Sequence, residues 1–169
     1  AGRPMLACFD GAPVSHVFAA REDIADIATR GPLTPDHVIR TKRIPLIVEH
    51  DAAESVDAFA GDYRAYFEKH TDGTLAQLDS APRWAVWPNK GTVAFGVREA
   101  DVSIISDIVA HTIGAIQSAE RLGGWCALPE ADIFAVEYWE LEQAKLDKAA
   151  VVPALQGRCA LVTGGASGI

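Results

Sequence analysis

Cysteine is scarce in this sequence, and the few cysteines lie far apart. Cys8, Cys126 and Cys159 are an odd number at wide spacing, and no Cys-x-x-Cys pair occurs. This pattern excludes a disulfide framework and lacks the ligand spacing of zinc or redox sites. A reducing compartment fits best, and each cysteine is expected to be a small buried residue.

Basic charge is scarce as well. Lysine and arginine total 15 against 23 aspartate and glutamate residues, which gives a net charge of -8. Nucleic-acid binding requires clustered basic residues that neutralise phosphates, so no DNA or RNA partner is expected.

Long apolar runs are also missing. No run approaches the roughly 18 to 20 residues needed to span a bilayer, and the first residues lack the apolar core of a secretory signal. The sequence therefore predicts a soluble, cytoplasmic protein that does not bind a membrane.

The residues that are present suit one compact domain. The chain has 169 residues, 49% of them hydrophobic, which is enough for a single core. Apolar periodicity, together with proline, glycine and capping residues, predicts alternating helices and strands. Helices are expected over 14–30, from 35 for a few turns, from Asp51 or Ser55 to 70, over 98–122 and over 129–146. Strands are expected over 45–48, 83–87 and 92–96, and the last two should form a hairpin.

The C-terminal residues 155–169 read LQGRCALVTGGASGI. An apolar strand over Cys159–Val162 that runs into Thr-Gly and Gly-Ile resembles the opening of short-chain dehydrogenases. Such a turn lets a helix N-terminus face a pyrophosphate. The resemblance implies that Thr163, Gly164, Gly168 and Ile169 contribute to NAD or NADP binding in a full-length parent.

The catalytic residues of short-chain dehydrogenases have no counterpart in this chain. The family uses a serine and a Tyr-x-x-x-Lys pair, whereas Tyr138 is followed four residues later by Glu142. Because the chain stops inside the glycine turn, it is expected to be a fragment that binds no cofactor by itself.

A second resemblance covers most of the chain. The segments GPLTPDHVIRTKRIPL at 31–46, VAFG at 93–96 and EYWELEQAKL at 137–146 resemble the middle region of fused class II aldolase/short-chain dehydrogenase proteins, the rhamnulose-phosphate aldolase/alcohol dehydrogenase group. The resemblance implies an aldolase-associated α/β domain over 1–148, a linker over 149–157 and the start of the dehydrogenase over 158–169. The expected fold is a small mixed sheet covered by helices, plus a truncated Rossmann-type stub.

The five histidines are scattered, and no His-x-His pair occurs. Zinc, which an aldolase would use to stabilise an enediolate, is therefore expected only in an upstream module, and no metal site is predicted here.

One group of residues could bind an anion. Thr34 and Pro35 predict a helix start, and His37, Arg40 and Lys42 follow it, so a sugar hydroxyl or a phosphate could bind at this end. The alternative is a capped helix whose basic residues pair with carboxylates or solvent.

The residues and the resemblance together suggest a parent enzyme that is an NAD(P)-dependent oxidoreductase fused to an aldolase, with a sugar or sugar phosphate as substrate. The alternative is a noncatalytic spacer or an oligomerisation domain that links two modules, the latter as a homo-oligomer. Glu137, Glu140 and Glu142 are expected to form a solvated face, and the aromatic side chains beside them are expected to pack in the core.

Overall fold

The computed structural model describes residues 4–146, residue 155 and residues 157–165. These residues form a four-stranded mixed sheet and seven helices, which confirms the α/β class. The strands are β1 (Leu6–Asp10), β2 (Leu46–Ile47), β3 (Trp84–Trp87) and β4 (Gly91–Gly96). The helices are α1 (Pro13–Ala19), α2 (Ile24–Ala28), α3 (Pro35–Thr41), α4 (Ala52–His70), α5 (Glu99–Arg121), α6 (Glu130–Glu137) and α7 (Glu140–Ala144).

The sheet has the strand order β1-β4-β3-β2. The predicted hairpin of β3 and β4 is confirmed, and its turn places Asn89 at a φ of 61° and Gly91 at 151°. A Cβ at Gly91 would lie 2.1 Å from the carbonyl oxygen of Asp10, so only glycine lets β1 and β4 approach here. β1 pairs antiparallel with β4, and β2 pairs parallel with β3.

The main core lies on the sheet face covered by α1, α2 and α5. Phe18, Ile27, Ile113 and Ile116 are almost completely inaccessible there, beside Trp84 of β3. The 23-residue helix α5 confirms the predicted apolar stripe. By length and composition alone α5 could also cross a membrane, although its sequence contains no long uninterrupted apolar run. The core helices of soluble proteins pass the same test, and α5 packs on β4.

The opposite sheet face has a much smaller core. Helix α4 packs Phe59 against Leu46, Val48 and Ala85 there, which covers the side of β2 and β3. The predicted start of α4 is confirmed: the Asp51 carboxylate accepts hydrogen bonds from the next backbone amides of the helix, at 2.8 and 2.9 Å.

An aromatic cluster joins α4 to α6. The Phe134 ring stacks on Tyr138 with centroids 4.4 Å apart and contacts Tyr66 edge-on at 5.4 Å. The expectation that this aromatic stripe is a packing feature is confirmed.

Two helices predicted as continuous are interrupted where a carbonyl accepts a hydrogen bond from outside its helix. The segment 14–30 divides after Ala19, whose carbonyl accepts the Asn89 amide of the hairpin turn at 3.0 Å. The segment 129–146 divides after Glu137, whose carbonyl accepts the Gln143 side-chain amide at 2.5 Å. Val17 of α1 is apolar but 61% exposed.

The cysteine prediction was wrong for burial. Cys8, Cys126 and Cys159 are all exposed free thiols, because they lie on an edge strand, in the loop after α5 and in the C-terminal segment.

The C-terminal segment also differs from the prediction. Cys159–Val162 is not part of a strand, and Leu161 and Val162 are exposed. The linker over 149–157 lies mostly outside the described residues.

Candidate functional site

The most unusual site is a buried polar cluster, which we define as Lys42, Tyr63, Glu137 and Tyr138. It lies where the C-terminal end of α3 meets α4 and α6. Glu137 is only 1% exposed and Lys42 only 5%, although charged side chains are rarely buried to this degree. The Lys42 Nζ lies 3.8 Å from Glu137 Oε1 and 3.6 Å from the centroid of the Tyr63 ring. The cluster is therefore a buried ion pair whose ammonium group packs on an aromatic ring.

Hydrogen bonds in the cluster run in one direction, towards Glu137. Tyr63 donates its hydroxyl hydrogen to Glu137 Oε1 at 2.8 Å. Since that hydroxyl has only one hydrogen, the 2.9 Å contact between the Tyr63 and Tyr138 hydroxyls requires Tyr138 to donate. Tyr138 in turn accepts the backbone N–H of Leu78 at 3.3 Å. Leu78, Tyr138 and Tyr63 thus form a chain of donors that ends on the carboxylate.

Burial dominates the electrostatics of the cluster. It lowers the pKa of Lys42 to about 8, and the negative charge of Glu137 opposes this shift. Burial also raises the pKa of Glu137, which Lys42 and Tyr63 counteract. The pKa of Tyr63 is raised by burial and by the neighbouring Glu137 charge, so its phenol keeps its proton.

A second, more exposed ion-pair network lies at the start of α6. Glu130 Oε1 accepts from Lys69 Nζ and contacts His70 Nε2, each at 2.8 Å, and its other oxygen lies 3.5 Å from Arg43. The hydrogen bonds from Lys69 and His70 lower the pKa of Glu130 to about 2. This network fastens the end of α4 to the start of α6.

The expectation of a solvated glutamate face was wrong for two of the three residues. Glu137 and Glu142 are buried, and only Glu140 is exposed. A signal was present in the sequence. Glu137 follows Ile133 by four positions and Phe134 by three, so it lies on the apolar face of its helix. Its position in the helix, and not its charge, predicts its burial.

The three residues of the predicted anion site make different contacts in the structure. The His37 ring lies edge-on to His111 of α5, with the ring centroids 6.4 Å apart. Arg98 is the main cause of the lowered pKa of Asp101 on α5, and the charge of Arg40 contributes to the same shift. Lys42 instead lies at the C-cap of α3 and reaches Glu137 on α6.

The start of α3 is placed as predicted, but without the expected cap. Thr34 is at the N-cap position and Pro35 follows it, yet the Thr34 side chain makes no capping hydrogen bond. The helix has only seven residues, which gives it a weak dipole at most.

The two cavities that described residues form beside Lys42 are too small for a substrate. The two beside Lys42 have volumes of about 20 and about 10 Å³, enough for one water molecule at most. A wider groove of about 430 Å³ lies after β2, and Glu49, Asp51 and Glu54 on its wall make it acidic. Acidic walls disfavour a phosphate group in this groove.

Cofactor ligands are sparse in the described residues. No group of three or more His, Cys, Asp or Glu side chains within them could hold a metal ion. Of the residues implied in nicotinamide binding, Thr163 and Gly164 are exposed. Gly164 has a φ of 70° with open space around it, which suits a glycine turn. Gly168 and Ile169 lie outside the described residues.

Comparisons with known proteins place these features in a family. The family described as "Aldolase class II, second domain" matches residues 1–146. A Bacillus subtilis (strain 168) protein named "Uncharacterized oxidoreductase YuxG" is 32% identical over 151 residues, which cover 82% of this chain and 22% of that protein. The chain therefore spans about a fifth of the length of this curated relative. No solved structure matches this chain. The chain belongs to the class II aldolase family, in which it corresponds to the second domain.

Proposed function

We propose that the chain is the middle region of a fused class II aldolase/short-chain dehydrogenase polypeptide. The parent would be a cytoplasmic, NAD(P)-dependent oxidoreductase that acts on a sugar or sugar phosphate. This region would position the catalytic modules and contribute no catalytic residue. The family match and the oxidoreductase relative support the fused architecture. The closed cluster around Glu137 is the observation that supports the noncatalytic role.

The cluster satisfies most of its reactive groups internally, although Glu137 Oε2 is buried without a hydrogen-bond partner among the described residues. A general acid or base must lie within hydrogen-bonding reach of a substrate atom. The Lys42 ammonium is directed at Glu137, and the Tyr63 hydroxyl is already committed to the same carboxylate. Cavities that hold at most one water leave no room for a sugar beside them. These contacts favour a structural role for the ion pair.

The dehydrogenase part of the proposal depends on residues 158–169. The Thr163-Gly164 turn and the apolar residues before it support a nucleotide-binding turn that is completed by further sequence. When bound, NAD(P) would supply hydride transfer, and this chain would supply the first strand and turn of its site.

The experiment compares the full-length polypeptide with variants of the cluster. We expect NAD(P)-dependent oxidation of a sugar or sugar phosphate by the full-length protein and no turnover by residues 1–169 alone. The double variant Lys42→Met/Glu137→Leu should keep its kcat per folded molecule. Glu140→Gln, an exposed neighbour, is the matched control. A loss of kcat of about 100-fold or more in a folded double variant would indicate general acid–base catalysis and contradict the proposal.

The anion site remains a prediction, now limited to His37 and Arg40, since Lys42 is engaged with Glu137. Arg40→Ala in the full-length protein should raise the KM for a phosphorylated substrate, with an unchanged thermal midpoint, if Arg40 binds the phosphate. Unchanged kinetics would leave α3 as a purely structural helix.

A further inference from the structure

The chain leaves this domain beside the point at which it enters. Pro4 lies two residues before β1, which begins at Leu6. A Cβ atom built on Gly157 would lie 2.5 Å from the carbonyl oxygen of Pro4 and 3.3 Å from the Pro4 Cβ. The backbones of the two segments are therefore in contact. We call this contact between Pro4 and Gly157 the terminal clasp.

The terminal clasp requires glycine for two independent reasons. Gly157 has a φ of 71°, a conformation that residues with a Cβ rarely adopt. At the same position a Cβ would overlap the Pro4 carbonyl group, so any other residue would push the two segments apart. A tail that extends freely into solvent needs neither feature. The close approach is therefore encoded at this position of the sequence.

A turn at the same position brings the chain into the clasp. The Arg158 N–H donates to the Leu155 carbonyl oxygen at 3.1 Å, which closes a tight turn around Gly157. The apolar residues 159–162 follow at once, and in the proposed architecture they begin the dehydrogenase module. Little linker then separates that module from the point at which the chain enters this domain.

The size of a protein module makes the clasp a constraint on the whole polypeptide. A module of about 200 residues has a radius of roughly 20 Å, whereas each residue of a linker spans at most about 3.6 Å. Two modules that are joined at almost the same point by a few residues cannot move apart by as much as their own radius. Their surfaces must therefore lie close together near that point, whatever their orientation.

We propose that this domain holds its entry and exit segments together at Pro4 and Gly157, so that the module before it and the dehydrogenase module after it contact each other directly. The inference rests on the fused architecture proposed above, and the greater length of the curated relative leaves room for both modules. It adds the arrangement: the domain lies beside the two modules and not between them. Each module is then held at a high concentration relative to the other, about millimolar for short linkers.

Thiol cross-linking in the full-length polypeptide tests the clasp itself. The native Cys159 is exposed and lies two residues after Gly157, a distance of at most about 7 Å. The variant Pro4→Cys, in a Cys8→Ser background, places a second thiol at an exposed position on the other side of the clasp. A short bis-maleimide should join the two thiols, and peptide mass spectrometry identifies the joined pair.

Leu122→Cys in the same background is the matched control for this reaction. The first residue of β1 pairs with the last residue of β4, and α5 begins three residues later. Position 122 follows the other end of α5, whose 23 residues are about 34 Å long. We expect the thiols at 4 and 159 to be joined about tenfold or more faster than those at 122 and 159. Equal rates would refute the clasp.

Lysine cross-linking of the monomeric full-length polypeptide tests the contact between the modules. We expect cross-links that join the preceding module directly to the dehydrogenase module. Gly157→Ala should reduce them severalfold, whereas Gly73→Ala, at a φ of 87° but with open space around it, should not. Equal losses in both variants, or no such cross-links in the wild type, would contradict the proposal. An active NAD(P)-dependent enzyme without these cross-links would refute this inference alone, whereas a full-length polypeptide without that activity would contradict the proposed function.

Discussion

Removal of one partner of the buried ion pair should be among the most destabilising single changes in this chain. In Glu137→Gln the Lys42 ammonium stays at 5% exposure without its counter-charge. At the observed 3.8 Å, an effective dielectric of about 20 gives an attraction of about 4 kcal/mol that is lost. Measured losses for a broken buried pair are similar, about 3 to 5 kcal/mol. We therefore expect unfolding free energy to fall by about 3 to 5 kcal/mol.

Urea denaturation at pH 7 measures this change, with Glu140→Gln as the control that should cost less than about 0.5 kcal/mol. Restoring neutrality with Lys42→Met in the Glu137→Gln background should recover most of the loss, because no unpaired buried charge remains. A coupling energy near zero in this double-mutant cycle, or a Glu137→Gln midpoint equal to that of Glu140→Gln, would refute the reasoning.

Three further predictions concern charge and backbone. The pKa of Lys42 is lowered from 10.5 to about 8 in the folded state. The stability that Lys42 contributes is therefore present above pH 10.5 and is lost as the pH falls through 8. The unfolding free energy of the wild type should thus rise from pH 8 to pH 10.5, relative to that of Lys42→Met. The pKa of Glu130 is lowered from 4.5 to about 2, so the stability that it contributes is present above pH 4.5 and is lost as the pH falls towards 2. After allowance for the partial exposure of Glu130, acid titration should lower the unfolding free energy by about 1 to 2 kcal/mol in the wild type and by little in Glu130→Gln. Gly91→Ala, which places a methyl group 2.1 Å from the Asp10 carbonyl at a φ of 151°, should lower the thermal midpoint by about 4 °C or more, whereas Gly114→Ala, within a helix and with open space, should not.

The elements that the sequence predicted best are those whose signals are local. Helix α4 has the Asp51 cap and an apolar stripe, and α5 repeats its apolar residues over 23 positions, so both were found with nearly correct ends. The hairpin was found because its turn contains Asn89 and Gly91. Each of these signals is contained within a few neighbouring residues.

The features that were missed depend on distant residues. Strand β1 has no turn or alternation of its own and is defined only by its pairing with β4. The end of α1 coincides with a hydrogen bond from Asn89, about 70 residues away, which no helix signal contains. Lys42 and Glu137 are far apart in the sequence, so their pairing could not be read from composition or spacing.

The pairing of β1 with β4 also affects how the chain can fold during synthesis. Leu6 pairs with Gly96, so the first strand has no partner until the ribosome has released the hairpin at 84–96. Local helices such as α4 can form much earlier. Until then, the backbone of residues 6–9 has no strand partner and the apolar side chains of this segment stay exposed to water. The late closure of this long-range contact should be a slow step in folding and the stage at which nascent chains are most prone to aggregate.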